Sequence, residues 1–137
     1  MIIRMLFVCV VLLIYSQSNA SSGLVFDDVE KLSPSVVRHA FSPMFKALKD
    51  GDVNTIKQYL GGDALEKNRT LLEENANYPK FLRNYYRHAD FRIEKVEKKD
   101  DADIVIGVKT FFPDGQTSAF NLQLQKIKDA WLIVDDY

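Results

Sequence analysis

After His88 the apolar spacing of the chain changes from three- and four-residue steps to alternation, and turns of only two to four residues cut the alternating half into four runs. No other feature limits the fold as much. Runs joined so tightly must pair as antiparallel neighbours, because a parallel crossover needs roughly a dozen residues. The runs are Phe91 to Lys98, Ala102 to Phe112, Thr117 to Ile127 and Trp131 to Val134. Between them lie Lys98-Lys99-Asp100-Asp101, Pro113-Asp114-Gly115-Gln116 and Lys128-Asp129, the second being a strong hairpin signal. In the third run Phe120, Leu122 and Leu124 alternate with Asn121, Gln123 and Gln125, so one face is dry and the other polar. The second run puts Ile104, Ile106 and Val108 on one face and Val105 and Phe111 on the other.

The half before His88 reads as helical. Ser33-Pro34 offers an N-cap followed by proline at the first helical position. Val36, Val37, Ala40, Phe41, Met44, Phe45 and Leu48 then form a stripe about four turns long. Pro43 removes one bond of that helix and predicts a kink or a break. Gly51 suits the left-handed residue after the helix end, and Asp52 caps a second helix carrying Val53, Ile56, Tyr59 and Leu60. Gly61-Gly62 ends that helix, Asp63 to Glu66 has the spacing of a capping box for a third, and Pro79 opens a fourth with Phe81, Leu82, Tyr85 and Tyr86. Helices that come first can cover only one face of the sheet without burying its polar side. The fold class is therefore α+β, with N-terminal helices packed on one face of a curved four-stranded antiparallel sheet.

Residues 1–20 read as an export signal. Arg4 is followed by an apolar run from Met5 to Tyr15, then by Ser16 to Ala20 with small residues before a cut at Ser21. The run is shorter than the 20 or so residues that span a bilayer, so no membrane span is expected in the mature chain. Residues 21–32 are expected to form an N-terminal arm or a partly ordered lead-in, and 33–137 the folded domain. The expected location is outside the cytoplasm, periplasmic or secreted. The single cysteine, Cys9, lies inside the leader, so the exported chain has no thiol and no disulfide. Asn68-Arg69-Thr70 is a glycosylation sequon. With 18 Lys+Arg against 19 Asp+Glu the chain has no basic excess for phosphate neutralisation, which disfavours nucleic-acid binding.

The order of elements resembles the nuclear transport factor 2-like superfamily, the cystatin-like α+β roll. The resemblance is carried by the helix end Phe45-Lys46-Ala47-Leu48-Lys49-Asp50-Gly51-Asp52 running into Val53-Asn54-Thr55-Ile56, by Phe112-Pro113-Asp114-Gly115, and by Trp131-Leu132-Ile133-Val134. It implies a cone-shaped roll with a pocket between sheet and helices. Members of the superfamily include isomerases and dehydratases that use Asp and His there, and exported members of unknown function. No such Asp–His pair can be placed in this sequence, so no catalytic residue is carried over.

The residues themselves suggest few chemistries. No phosphate loop, dinucleotide fingerprint, nucleophile elbow or zinc-protease helix occurs, and no cofactor is implied. His39 and His88 are the only histidines and lack a second ligand at helical spacing, so no metal site is expected. Tyr85, Tyr86, His88 and Trp131 are the candidate pocket residues, since amphipathic aromatic rings suit a pocket wall. Asp135 is the best acid, placed by strand alternation on the face of Trp131 and Ile133. Val105 and Phe111, on the face away from the helices, suggest a homodimer formed through the sheet. The expected function is an exported, non-enzymatic binding module for a small apolar or amphipathic ligand or a protein partner. The alternative is a small pocket enzyme of isomerase, dehydratase or hydrolase type using Asp135 with Tyr85, Tyr86 or His88.

Overall fold

In the computed structural model, which describes residues 23–137, four helices precede and cover a four-stranded antiparallel sheet. A single 3-10 turn at Val29–Lys31 leads into α1 (Pro34–Asp50), α2 (Val53–Tyr59), α3 (Gly62–Glu73) and α4 (Tyr78–Tyr86). The strands are β1 (Asp90–Asp100), β2 (Asp103–Phe111), β3 (Thr117–Ile127) and β4 (Ala130–Asp136), in the order β1-β2-β3-β4. The α+β expectation holds. The export signal read in residues 1–20 lies outside the described residues.

α1 begins where Ser33 Oγ accepts from the Val36 N–H and ends at Gly51, whose φ of 69° is left-handed. It runs unbroken through Pro43. Proline is tolerated there because it sits on the solvent side, where water can satisfy the carbonyl it leaves unpaired. Val37, Phe41, Met44 and Phe45 turn inward against the sheet, and the Phe45 ring stacks on Phe91 of β1 with centroids 4.7 Å apart. A smaller cluster of Ala47, Ile56, Leu72 and Leu82 joins the helices to one another.

α3 starts two residues earlier than its capping-box spacing predicts. Gly61 occupies the N-cap without a side-chain bond, and Asp63 falls inside the first turn. The reason is a tertiary bond: the Gly61 N–H donates to the Ile133 carbonyl at 2.9 Å and fixes where the helix can begin.

Asp52 caps α2 as predicted, accepting from the Thr55 N–H at 3.1 Å and from the Thr55 hydroxyl at 2.6 Å. The Thr55 bonds are the main reason its carboxyl is held below the usual aspartate range. Because the folded value is the lower one, the stabilisation is present above the ordinary aspartate pKa and fades as pH falls through the depressed value. Asp52→Ala is expected to cost about 1 kcal/mol near neutral pH. Urea unfolding should show that gap closing as the pH falls below 3.8, and a gap independent of pH would refute the cap as its source.

The sheet interior follows the alternation. Ile104, Ile106 and Val108 on β2 pair with Leu124, Leu122 and Phe120 on β3, and all face the helices. The first of the three hairpins closes later than expected, over Asp101 and Ala102, because β1 runs on to Asp100. The other two turn where expected. Gly115 takes φ 85° in one, and Lys128 and Asp129 both take positive φ in the other, as a two-residue loop of this hand requires. On the outer face Val105 is only 7% exposed, and Phe111 lies under the Arg92 guanidinium and beside the Lys109 ammonium. The two residues that suggested pairing of sheets are thus already covered by their own neighbours.

The stretch expected to be an arm is tied into the core. Leu24 exchanges backbone hydrogen bonds with Trp131 at 3.1 and 2.9 Å, and both Leu24 and Phe26 are buried. Together with the Gly61 N–H, Leu24 occupies the outer rim of β4, while the outer rim of β1 carries Glu94, Lys95, Glu97 and Lys99.

Candidate functional site

The position of the site follows from a break in alternation within β4. Ile133 pairs with Leu124 of β3, but the next register partners are Asp135 with Gln123 and Asp136 with Leu122. Val134 is therefore an extra, bulged residue, and everything after it changes face. Asp135 does not share the face of Trp131 and Ile133. It lies on the polar outer side with Gln123, and its carboxylate meets Lys67 of α3 at 3.5 Å. Asp136 takes the inward position instead. Bonds between the backbones of Tyr137 and Asn121, at 2.8 and 3.1 Å, hold the strand end in that register.

Asp136 reaches a pocket of about 120 Å³ between the helices and the inner face of the sheet. Ile56 and Leu60 of the α2 region and Ala64 and Leu72 of α3 form its helical walls, and Leu122 and Ile133 its floor. Three polar side chains join this lining: Asn68, Tyr78 and Asp136. The Asn68 amide nitrogen donates to the Ala64 carbonyl at 2.8 Å, which leaves its oxygen and its second N–H available. Burial first, and the nearby Asp136 second, hold the Tyr78 hydroxyl above its ordinary pKa, so it stays protonated at neutral pH. A phenol donor and a carboxylate acceptor in an apolar hollow can orient one polar group of a small molecule. Hollows of 270 to 380 Å³ lined by Arg38 and Lys46, by Leu71 and Phe81, and by Tyr85 and Phe112 lie elsewhere on the surface, outside this layer.

The residues singled out in the sequence do not converge. Trp131 is 1% exposed and packs against Phe26 with centroids 6.1 Å apart, so it belongs to the core. Tyr86 is half-buried against Phe91, its hydroxyl raised in pKa chiefly by burial. Tyr85 is half-exposed and meets Phe112 edge-on at 5.1 Å. His88 and His39 are both exposed. Tyr78, Asn68 and Asp136 were missed. Helical spacing places Tyr78 on the flank of Leu82 and Tyr86, a signal that was present. Nothing in residue type marks the bulge that selects Asp136. Asn68 sits within α3 with its amide already engaged, a poor acceptor for the sequon's glycan.

No helix among the described residues is long and apolar enough to cross a membrane. No protein-family model matches the chain, and no curated protein does. Solved structures do. An NTF-2-like protein of unknown function from Shewanella oneidensis is similar over 76% of this chain and 97% of its own, at 16% identity and a TM-score of 0.57. A Campylobacter jejuni protein, whose name proposes an NTF2-like transpeptidase, is similar over 76% and 99%, at 18% identity and a TM-score of 0.53. At such identities the likeness is one of architecture, and the activity in the second name stays with that protein. The order of helices and strands, the open antiparallel sheet and these two neighbours agree on one conclusion: the chain has the nuclear transport factor 2-like α+β fold.

Proposed function

We propose that this protein is an exported binding module that takes a small, mostly apolar ligand into the pocket between α2, α3 and the inner face of β3 and β4. One observation carries the reading: an apolar hollow of about 120 Å³ has three polar side chains, Asn68, Tyr78 and the more exposed Asp136, in its lining. Pockets for drug-sized ligands usually run from about 300 Å³ upward, so the ligand is small or inserts only one end. Export rests on the leader-like pattern of residues 1–20. The pocket-enzyme alternative loses the carboxylate on which it rested, because Asp135 turns to the outer face and pairs with Lys67.

The test is a titration with pentan-1-ol followed by methyl resonances. Ile56, Leu72, Leu122 and Ile133 should shift together with a millimolar Kd, and Ala64→Leu, which fills the hollow, should abolish the response. Shifts confined to surface residues would rule the pocket out.

A further inference from the structure

We infer that the ligand of this pocket carries a protonated amine on a short alkyl body, with the ammonium held by Asp136. This rests on the pocket reading above and adds the charge of the ligand's polar end.

The argument starts from which carboxylate is neutralised. Asp135 meets Lys67 at 3.5 Å on the outer side. Of the other cations on the neighbouring helices, Lys57 pairs with Glu73 at 3.8 Å and Arg69 with Glu66 at 2.7 Å. Among the described residues Lys80 and Arg83 of α4 join no ion pair, but neither comes within ion-pair distance of Asp136, so its carboxylate, exposed at the strand end, lines the mouth of an apolar hollow without a cation. The other polar groups there are neutral. Asn68 has one N–H on Ala64 and offers its oxygen and a second N–H, and Tyr78 offers a hydroxyl that both donates and accepts. The carboxylate is thus the one charge in the lining, and the rim is negative. An ammonium is its complement, with three donors and no acceptor, whereas an alcohol brings one donor and a carboxylate brings a like charge.

Size sets the rest. A 150 Å³ apolar cavity holds benzene, so about 120 Å³ takes roughly five heavy atoms.

The experiment compares n-pentylamine, pentan-1-ol and pentanoate at pH 7 and low salt, reading the methyl resonances of Leu72, Leu122 and Ile133. The amine should bind about ten-fold more tightly than the alcohol, and pentanoate more weakly than either. Asp136→Asn should abolish the preference, so that the variant binds amine and alcohol about equally, with an unaltered unfolding midpoint. Equal affinities for amine and alcohol, or a preference for pentanoate, would overturn the amine inference and leave the pocket standing. If none of the three shifts these methyls, both readings fall.

Discussion

Trp131→Ala is expected to remove most of the stability of the fold, costing about 3–5 kcal/mol when small domains have only about 5–15 kcal/mol in all. The indole is 1% exposed, sits on β4 at the junction of sheet and N-terminal stretch, and packs against Phe26. Truncation would leave a hollow that rigid neighbours cannot close, so the lost transfer energy and the cavity add. Trp131→Phe should be much milder, about 1–2 kcal/mol. The indole N–H has no partner in the protein, and removing a buried orphan donor offsets part of the lost volume. Since this is the only tryptophan, the variants must be followed by far-UV circular dichroism in urea rather than by fluorescence. An unchanged midpoint for Trp131→Ala would return the residue to a pocket wall.

The second large effect is expected at Gly51. Its φ of 69° already disfavours any other residue, and an added Cβ would lie 2.3 Å from the Pro79 carbonyl oxygen. That oxygen belongs to the backbone of α4 and cannot swing aside. Strain in the left-handed region costs about 1–3 kcal/mol, and forcing α1 and α4 apart adds a similar overpacking term. Gly51→Ala should therefore lose about 3 kcal/mol or more. Gly115→Ala provides the control. Its φ is 85° but an added Cβ meets nothing within 4 Å, so only the conformational cost remains. Urea midpoints that fall equally in both variants would show that the close approach to Pro79 contributes nothing.

The fold was legible because its strongest signals are local. The change of period at His88, the Phe120–Leu122–Leu124 alternation and the Pro113–Gly115 turn each constrain their own segment, and short loops then leave a single sheet order. The site was less legible because it depends on one insertion. A bulge in β4 at Val134 adds one residue against an unbroken partner strand. An ordinary residue forms it, so strict alternation carried Asp135 inward when the backbone had already changed face. Leu24 and Phe26 were missed for a different reason: two apolar residues are too few to show a period, and only the Trp131 backbone reveals what they bind.

The asymmetry between the two margins of the sheet bears on what losing the N-terminal stretch would do. One margin is deterred from templating further strands by its row of charged side chains. The other relies on a borrowed segment, Gly23 to Phe26, lying within a few residues of the expected cleavage point. A protease that removed this segment would strip that cover and leave only the Gly61 bond on the rim, offering the freed amides and carbonyls beside Trp131 to the next molecule as a seed for aggregation.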